Sequence, residues 1–149
     1  MKNSWGIAAL FIASLAVGCA EGPSTPTSPS SVAGSTSITG EQLAGAWNLQ
    51  TMEQAGRAEQ STPSGTRYTL TFGDGRIWTQ ADCNVCGGAF TLSGQTLTAG
   101  PALACTRAAC PSMEFEGAYT NVLGGDSTVA LSDRTLVLTS ARGTLRFTR

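Results

Sequence analysis

Beyond residue 40, short runs of alternating large apolar and polar side chains are separated by small, turn-forming residues. Tyr68-Thr69-Leu70-Thr71-Phe72 alternates large apolar residues with threonine, the period of a strand buried on one face. Gly73-Asp74-Gly75 then predicts a hairpin turn. The return strand Arg76-Ile77-Trp78-Thr79-Gln80 puts Ile77 and Thr79 on one face and Trp78 on the other. Ala46-Trp47-Asn48-Leu49-Gln50 reads as the opening strand. Further along, Ala89 to Leu92, Ser93-Gly94-Gln95 and Thr96 to Thr98 repeat the strand, turn, strand grammar. Leu92-Ser93-Gly94-Gln95-Thr96-Leu97 is echoed by Leu131-Ser132-Asp133-Arg134-Thr135-Leu136, which reads as shared hairpin chemistry. Thr144 to Thr148, after an Arg142-Gly143 turn, closes the series.

One helical pattern interrupts the strands. Pro111 suits a first helical position, Glu114 and Glu116 match the positive N-terminal end, and Phe115, Tyr119 and Val122 share one face. Gly124-Gly125 ends it. Together these elements predict a mainly β (α+β) domain, a small curled antiparallel sheet or partly open barrel carrying one α-helix. Trp47 and Trp78 read as core or sheet-face packing.

The first residues follow another pattern. Lys2 precedes an apolar run from Trp5 to Val17, broken only by Gly6 and Ser14, and small residues then lead to Gly18-Cys19. This is the layout of a bacterial secretory signal. The run is about 13 residues, short of the roughly 20 that span a bilayer. Cys19 after a small residue resembles a lipobox, although Leu15 stands one place earlier than in the best matches. Lipidation there would anchor the chain to a membrane, and Ala20 favours the outer of two. Cleavage after Ala20 by the ordinary signal peptidase would leave a soluble exported protein. Residues 20–39, rich in Pro, Ser, Thr, Gly and Ala, read as a disordered tether. Residues 40–149 then form one domain, and residues 1–19 the signal segment with its lipobox cysteine.

Charge narrows the functions. From Cys19 onward the chain has eight arginines, no lysine and ten carboxylates, a net charge of −2. The arginines are scattered, so no basic patch for nucleic acid is expected. Histidine is absent, which removes Ser-His, Cys-His and His-metal sites. No cofactor and no enzymatic activity are expected. Asp74, Asp82, Glu114 and Glu116 are the only carboxylates that an enzyme reading could use, and their positions read as turn chemistry and dipole matching. The expected partners are a membrane, through lipid on Cys19, and a ligand or protein that the sequence does not name.

Four cysteines remain in the domain, as Cys83-Asn84-Val85-Cys86 and Cys105 to Cys110. An even number in an exported domain predicts two disulfides. Three pairings are open. A Cys83–Cys86 bond would close a very tight loop, which favours pairing across the clusters, and Cys83–Cys110 with Cys86–Cys105 is the arrangement adopted as the expectation. Each bond would contribute about 3 kcal/mol in the chain-entropy model. The competing reading is a four-thiolate zinc module, given the C-x2-C and C-x4-C spacing. A further alternative is a disulfide-stapled protease inhibitor that presents the loop from Ala99 to Ala104. Asn84 is a candidate polar site residue, or else holds an Asx-type turn between the cysteines.

The ordered set of residues resembles the META domain, also found in HslJ-type lipoproteins. The likeness runs from Leu43 to Phe147. It is carried by Leu43 to Leu49, Tyr68 to Phe72 with Gly75, Asp82-Cys83-Asn84 leading to Gly87-Gly88-Ala89-Phe90, and Thr106 to Cys110. Met113, Glu114 and the closing Leu136-Leu138 and Leu145-Phe147 pairs complete it. Asp82 stands where the family usually has glycine, and Cys86 with Cys105 is an additional pair. The resemblance implies a compact β domain with one helix in the cell envelope, without established enzymatic activity, and with links to stress tolerance or secretion in some members.

Overall fold

The computed structural model of the chain describes residues 37–100 and 102–149; the signal segment, Cys19 and most of the tether lie outside the described residues. After a one-turn helix α1 (Gly40–Leu43) come strands β1 (Gly45–Gln54), β2 (Gln60–Ser61), β3 (Tyr68–Gly73), β4 (Arg76–Ala81), β5 (Asn84–Ser93), β6 (Thr96–Ala99) and β7 (Ala104–Cys105). Helix α2 (Met113–Leu123) follows, and β8 (Gly125–Ser132), β9 (Thr135–Ser140) and β10 (Gly143–Thr148) complete the chain.

Eight of these strands close an antiparallel barrel in the order β1, β3, β4, β5, β6, β8, β9, β10, with β10 returning to β1. The hairpins are local, but closure joins Asn48 to Thr148. Hydrogen bonding all round removes the free edges that an open sheet would expose. β2 pairs with β1 where β1 has parted from β3, and β7 pairs with β5 beyond the end of its pairing with β6.

An eight-stranded barrel has an interior just wide enough for side chains to fill or for one small ligand. Here side chains occupy it. Trp47, Leu70, Ile77, Leu97, Leu136, Leu145 and Phe147 are all fully buried. The alternation in β3 and β4 places Ile77 and Thr79 inside and Trp78 outside, as expected. In β1 the inward set is Trp47, Leu49 and then Met52, because the pairing with β10 slips by one residue between Leu49 and Thr51. That bulge shifts the side-chain phase and lets the strand continue to Gln54.

The two helices lie at opposite ends. At one, Thr39 and Gln42 form a capping box, with the Gln42 N–H donating to Thr39 Oγ1 at 3.3 Å and the Thr39 N–H donating to Gln42 Oε1 at 2.8 Å. Leu43 is buried below it, and the Trp47 indole N–H donates to the Leu43 carbonyl at 2.8 Å. Ile38, read from sequence as tether, packs against the core and its N–H donates to the Gly94 carbonyl at 3.1 Å.

Helix α2 closes the other mouth. Phe115, Tyr119, Val122 and Leu123 are its buried residues. Tyr119 meets Tyr68 edge-on at 5.3 Å and Phe147 at 6.5 Å between ring centroids. Its hydroxyl lies 2.6 Å from Thr79 Oγ1, which itself donates to the Thr69 carbonyl at 2.6 Å. The helix starts at Met113 with Ser112 as its N-cap, so Pro111 precedes the helix rather than opening it. The reason lies in Asp82, whose carboxylate takes the Ser112 N–H and hydroxyl and holds Ser112 outside helical geometry.

Candidate functional site at the stapled end of the barrel

The β4–β5 turn, the segment from Cys105 to Cys110 and the start of α2 meet at the α2 end. Cys83 is bonded to Cys110, and Cys86 to Cys105, across 27 and 19 residues of chain. These are the pairs adopted from the sequence, and with each sulfur in a disulfide none is left as a thiolate for zinc. Cys86 and Cys105 face each other in register on β5 and β7.

Asn84 stands between the two staples, is 2% exposed, and is the first residue of β5 rather than the holder of an Asx turn. Its side-chain oxygen accepts from the Ala108 N–H at 2.7 Å and the Thr106 hydroxyl at 2.9 Å. Its amide nitrogen lies 3.0 Å from the Ala108 carbonyl and 3.0 Å from both carboxylate oxygens of Glu116. Thr106 Oγ1 also accepts from the Val85 N–H at 3.0 Å. One side chain thus fixes an otherwise irregular loop to a strand and a helix.

A second cluster lies beside it. Asp82, with φ at +56°, turns the chain so that its carboxylate reaches the start of α2. Oδ2 accepts from the Ser112 hydroxyl at 2.7 Å and the Ser112 N–H at 3.1 Å, which places a negative charge at the positive helix end. Since the serine proton goes to Asp82, the Tyr68 phenol donates to Ser112 Oγ across 2.7 Å. Burial holds the Tyr68 phenol above its ordinary value; the bond to Ser112 opposes this, and the charges of Asp82 and Glu116 add to it.

Two shallow depressions of about 350 Å³ and 360 Å³ flank α2. The first runs past Gln54, Gln60, Pro63 and Phe115, the second past Thr106, Met113 and Glu116. In the second, the buried Asn84 already bonds to Thr106, Ala108 and Glu116, so the arrangement clamps the loop and presents a rigid outer surface. The four carboxylates considered for an enzyme do not converge. Asp74 sits in the β3–β4 turn, a strand length from Asp82, while Glu114 is exposed on α2. Of the segment proposed as an inhibitor loop, Ala99 is buried and Leu103 packs against the core beside Gly88, while Ala102 and Ala104 are exposed.

A family model of the META domain matches residues 41–149. The chain belongs to the META domain family. No curated protein matches the sequence. Among solved structures, this META domain is similar to a protein from Burkholderia xenovorans determined by NMR, with 29% identity and a TM-score of 0.61 over 74% of this chain and 85% of that one. A second NMR structure shares 26% identity with a TM-score of 0.59, over 74% of this chain and 94% of the other. A lipocalin-like protein from Bacteroides uniformis, at 18% identity and a TM-score of 0.52 over 72% and 98% of the two chains, shares the fold.

The sequence singled out Asn84 and the four cysteines, and the structure brings all five together in the META domain. Ser112, Tyr68 and Glu116 as partners were missed. Asp82, a charged side chain just before a cysteine staple, is the one signal in the sequence that points to an added cap for α2.

Proposed function

We propose that this protein is an envelope lipoprotein, lipidated on Cys19 and held off the membrane by the segment between Cys19 and Ile38, whose META domain is a non-enzymatic binding or structural module in stress or envelope maintenance. The observation that carries this is the filled barrel. With side chains occupying the interior, recognition falls to the outer surface, and two disulfides with Asn84 make that surface rigid at the α2 end. Rigid surfaces lose little entropy on binding. Two disulfides also suit the oxidising compartment that the secretory leader implies.

The test is the intact mass of the mature protein from its host, taken under denaturing conditions with and without reduction before thiol alkylation. Added lipid mass on Cys19, with the four domain cysteines alkylating only after reduction, is the expected result. A mature chain starting at Glu21 without lipid would replace the anchored protein with a soluble exported one.

A further inference from the structure

Trp78 is 41% exposed on the outer face of the barrel, whereas Trp47 is fully buried. Its register partners are Thr71 on β3 and Gly87 on β5. A Cβ placed on Gly87 would lie 3.4 Å from indole Cδ1 and 3.8 Å from Nε1, and one on Gly73 would lie 3.6 Å from Cζ3. Both ends of the ring system therefore rest against positions that carry no side chain, and the indole is left as an uncovered shelf.

The residues around the shelf are hydrogen-bonding groups on β3 and β4, while on β5 the exposed Val85 and Ala89 flank Gly87. Arg76 and Gln80 flank Trp78 at two-residue spacing along β4 and share its face. Charge is uneven here. Strands β3, β4 and β5 contain no carboxylate and one arginine, Arg76; of the carboxylates that flank β4, Asp74 is exposed in the β3–β4 turn and Asp82 is turned to Ser112. Among the described residues Arg76 has no ion-pair partner.

We infer that the face around Trp78 binds a saccharide bearing a carboxylate. The π face of an indole carries negative charge, and the axial C–H groups of a pyranose are the weakly positive, apolar surface that stacks on it. The Arg76 guanidinium is suited to the carboxylate, in the two-point geometry it favours. The Gln80 amide oxygen, whose nitrogen donates to the Asp82 carbonyl at 3.1 Å, and the Thr71 hydroxyl are placed for ring hydroxyls. Gly87 matters because any larger residue would cover the shelf. The inference takes the module proposed above as a binding one, but it needs neither the lipid nor a particular compartment.

Titration of the full mature chain with trigalacturonic acid, N-acetylmuramic acid and neutral cellotriose, followed by isothermal calorimetry, tests it. Saturable binding of either acidic sugar, absent in Trp78→Ala and in Gly87→Val, is expected; which acid binds tells a uronate polymer from a cell-wall amino sugar. Arg76→Gln is expected to weaken the acidic ligand about tenfold, the loss of a charge-assisted bond, and to leave any weaker cellotriose binding unchanged. Gly87→Val adds a strand-favouring residue, so circular dichroism of that variant separates a covered shelf from a lost fold. No saturable response to either acid, a response that survives Trp78→Ala, or equal binding of cellotriose would overturn the inference. Absence of lipid on Cys19 would leave these outcomes unaffected, so the two readings fail separately.

Discussion

The side-chain amide of Asn84 sits 3.0 Å from each carboxylate oxygen of Glu116 and so bridges the first residue of β5 to helix α2. The same side chain holds the loop between the disulfides. Asn84→Asp would keep the shape but set a second carboxylate against Glu116 in a buried position. We expect a loss of about 3 kcal/mol at pH 7. One of the two carboxyls would have to stay protonated in the fold, raising its folded value, so the deficit should shrink as pH falls from that raised value towards about pH 4, where the unfolded chain is also protonated. Urea midpoints at pH 7 and pH 4 measure this, and an equal deficit at both would refute the pairing.

Each staple should matter by a similar amount. Replacing Cys83 and Cys110 by serine, or Cys86 and Cys105, is expected to cost about 3 kcal/mol, since the two loops differ only from 27 to 19 residues. The Cys83–Cys110 pair should cost more, because Cys110 lies within the clamp of Asn84. Denaturant unfolding of the two double variants under non-reducing conditions decides the order.

Tyr119 links pH to stability. Burial lifts its phenol above the ordinary value of 10.0, against the smaller opposing effect of the bond to Thr79. The unfolded chain therefore ionises first on the alkaline side. The contribution is fully present below pH 10 and is lost as pH rises through the folded value. We expect unfolding midpoints to fall between pH 9 and pH 11, and Tyr119→Phe to flatten that fall while costing about 1 kcal/mol at neutral pH. An unchanged alkaline slope in the variant would show that other groups carry it.

Gly143 has φ at +148°, and a Cβ there would run into the Glu53 carbonyl of the neighbouring strand. Gly143→Ala should destabilise by about 3 kcal/mol, because backbone on backbone leaves no flexible group to yield. At Gly40 a Cβ would meet nothing within 4 Å, and Gly40→Ala should be neutral or slightly stabilising. Thermal melts of the two alanine variants side by side provide the comparison.

The hairpins were legible in the sequence because their signals are local. Gly73 to Gly75 and Ser93 to Gln95 mark their turns by composition alone, and the alternation in Tyr68 to Phe72 marks its buried face. The full length of β1 was hidden by its bulge. Leu49 and Met52 do not share a two-residue period, so a reading by alternation stops at Gln50. Helix α1 was overlooked because four residues give no periodicity, although Thr39 and Gln42 spell out a capping box. The role of Asn84 could not be read at all, since its partners lie 22 to 32 residues away and only the folded chain brings them within reach. Closure of the barrel was hidden for the same reason.

That closure sets when the molecule can first exist as a barrel. β1 and β10, the first and last strands, are hydrogen-bonded neighbours. Until Gly143 to Thr148 are in place, β1 and β9 remain as unpaired edges and Leu145 and Phe147 are missing from the core. Hairpins form in microseconds, but a contact between residues about a hundred positions apart is slow because the loop must close before any bond repays it. Assembly is thus a late, concerted event of the whole chain, and the interval before it is the time in which the chain is open to misassociation or proteolysis.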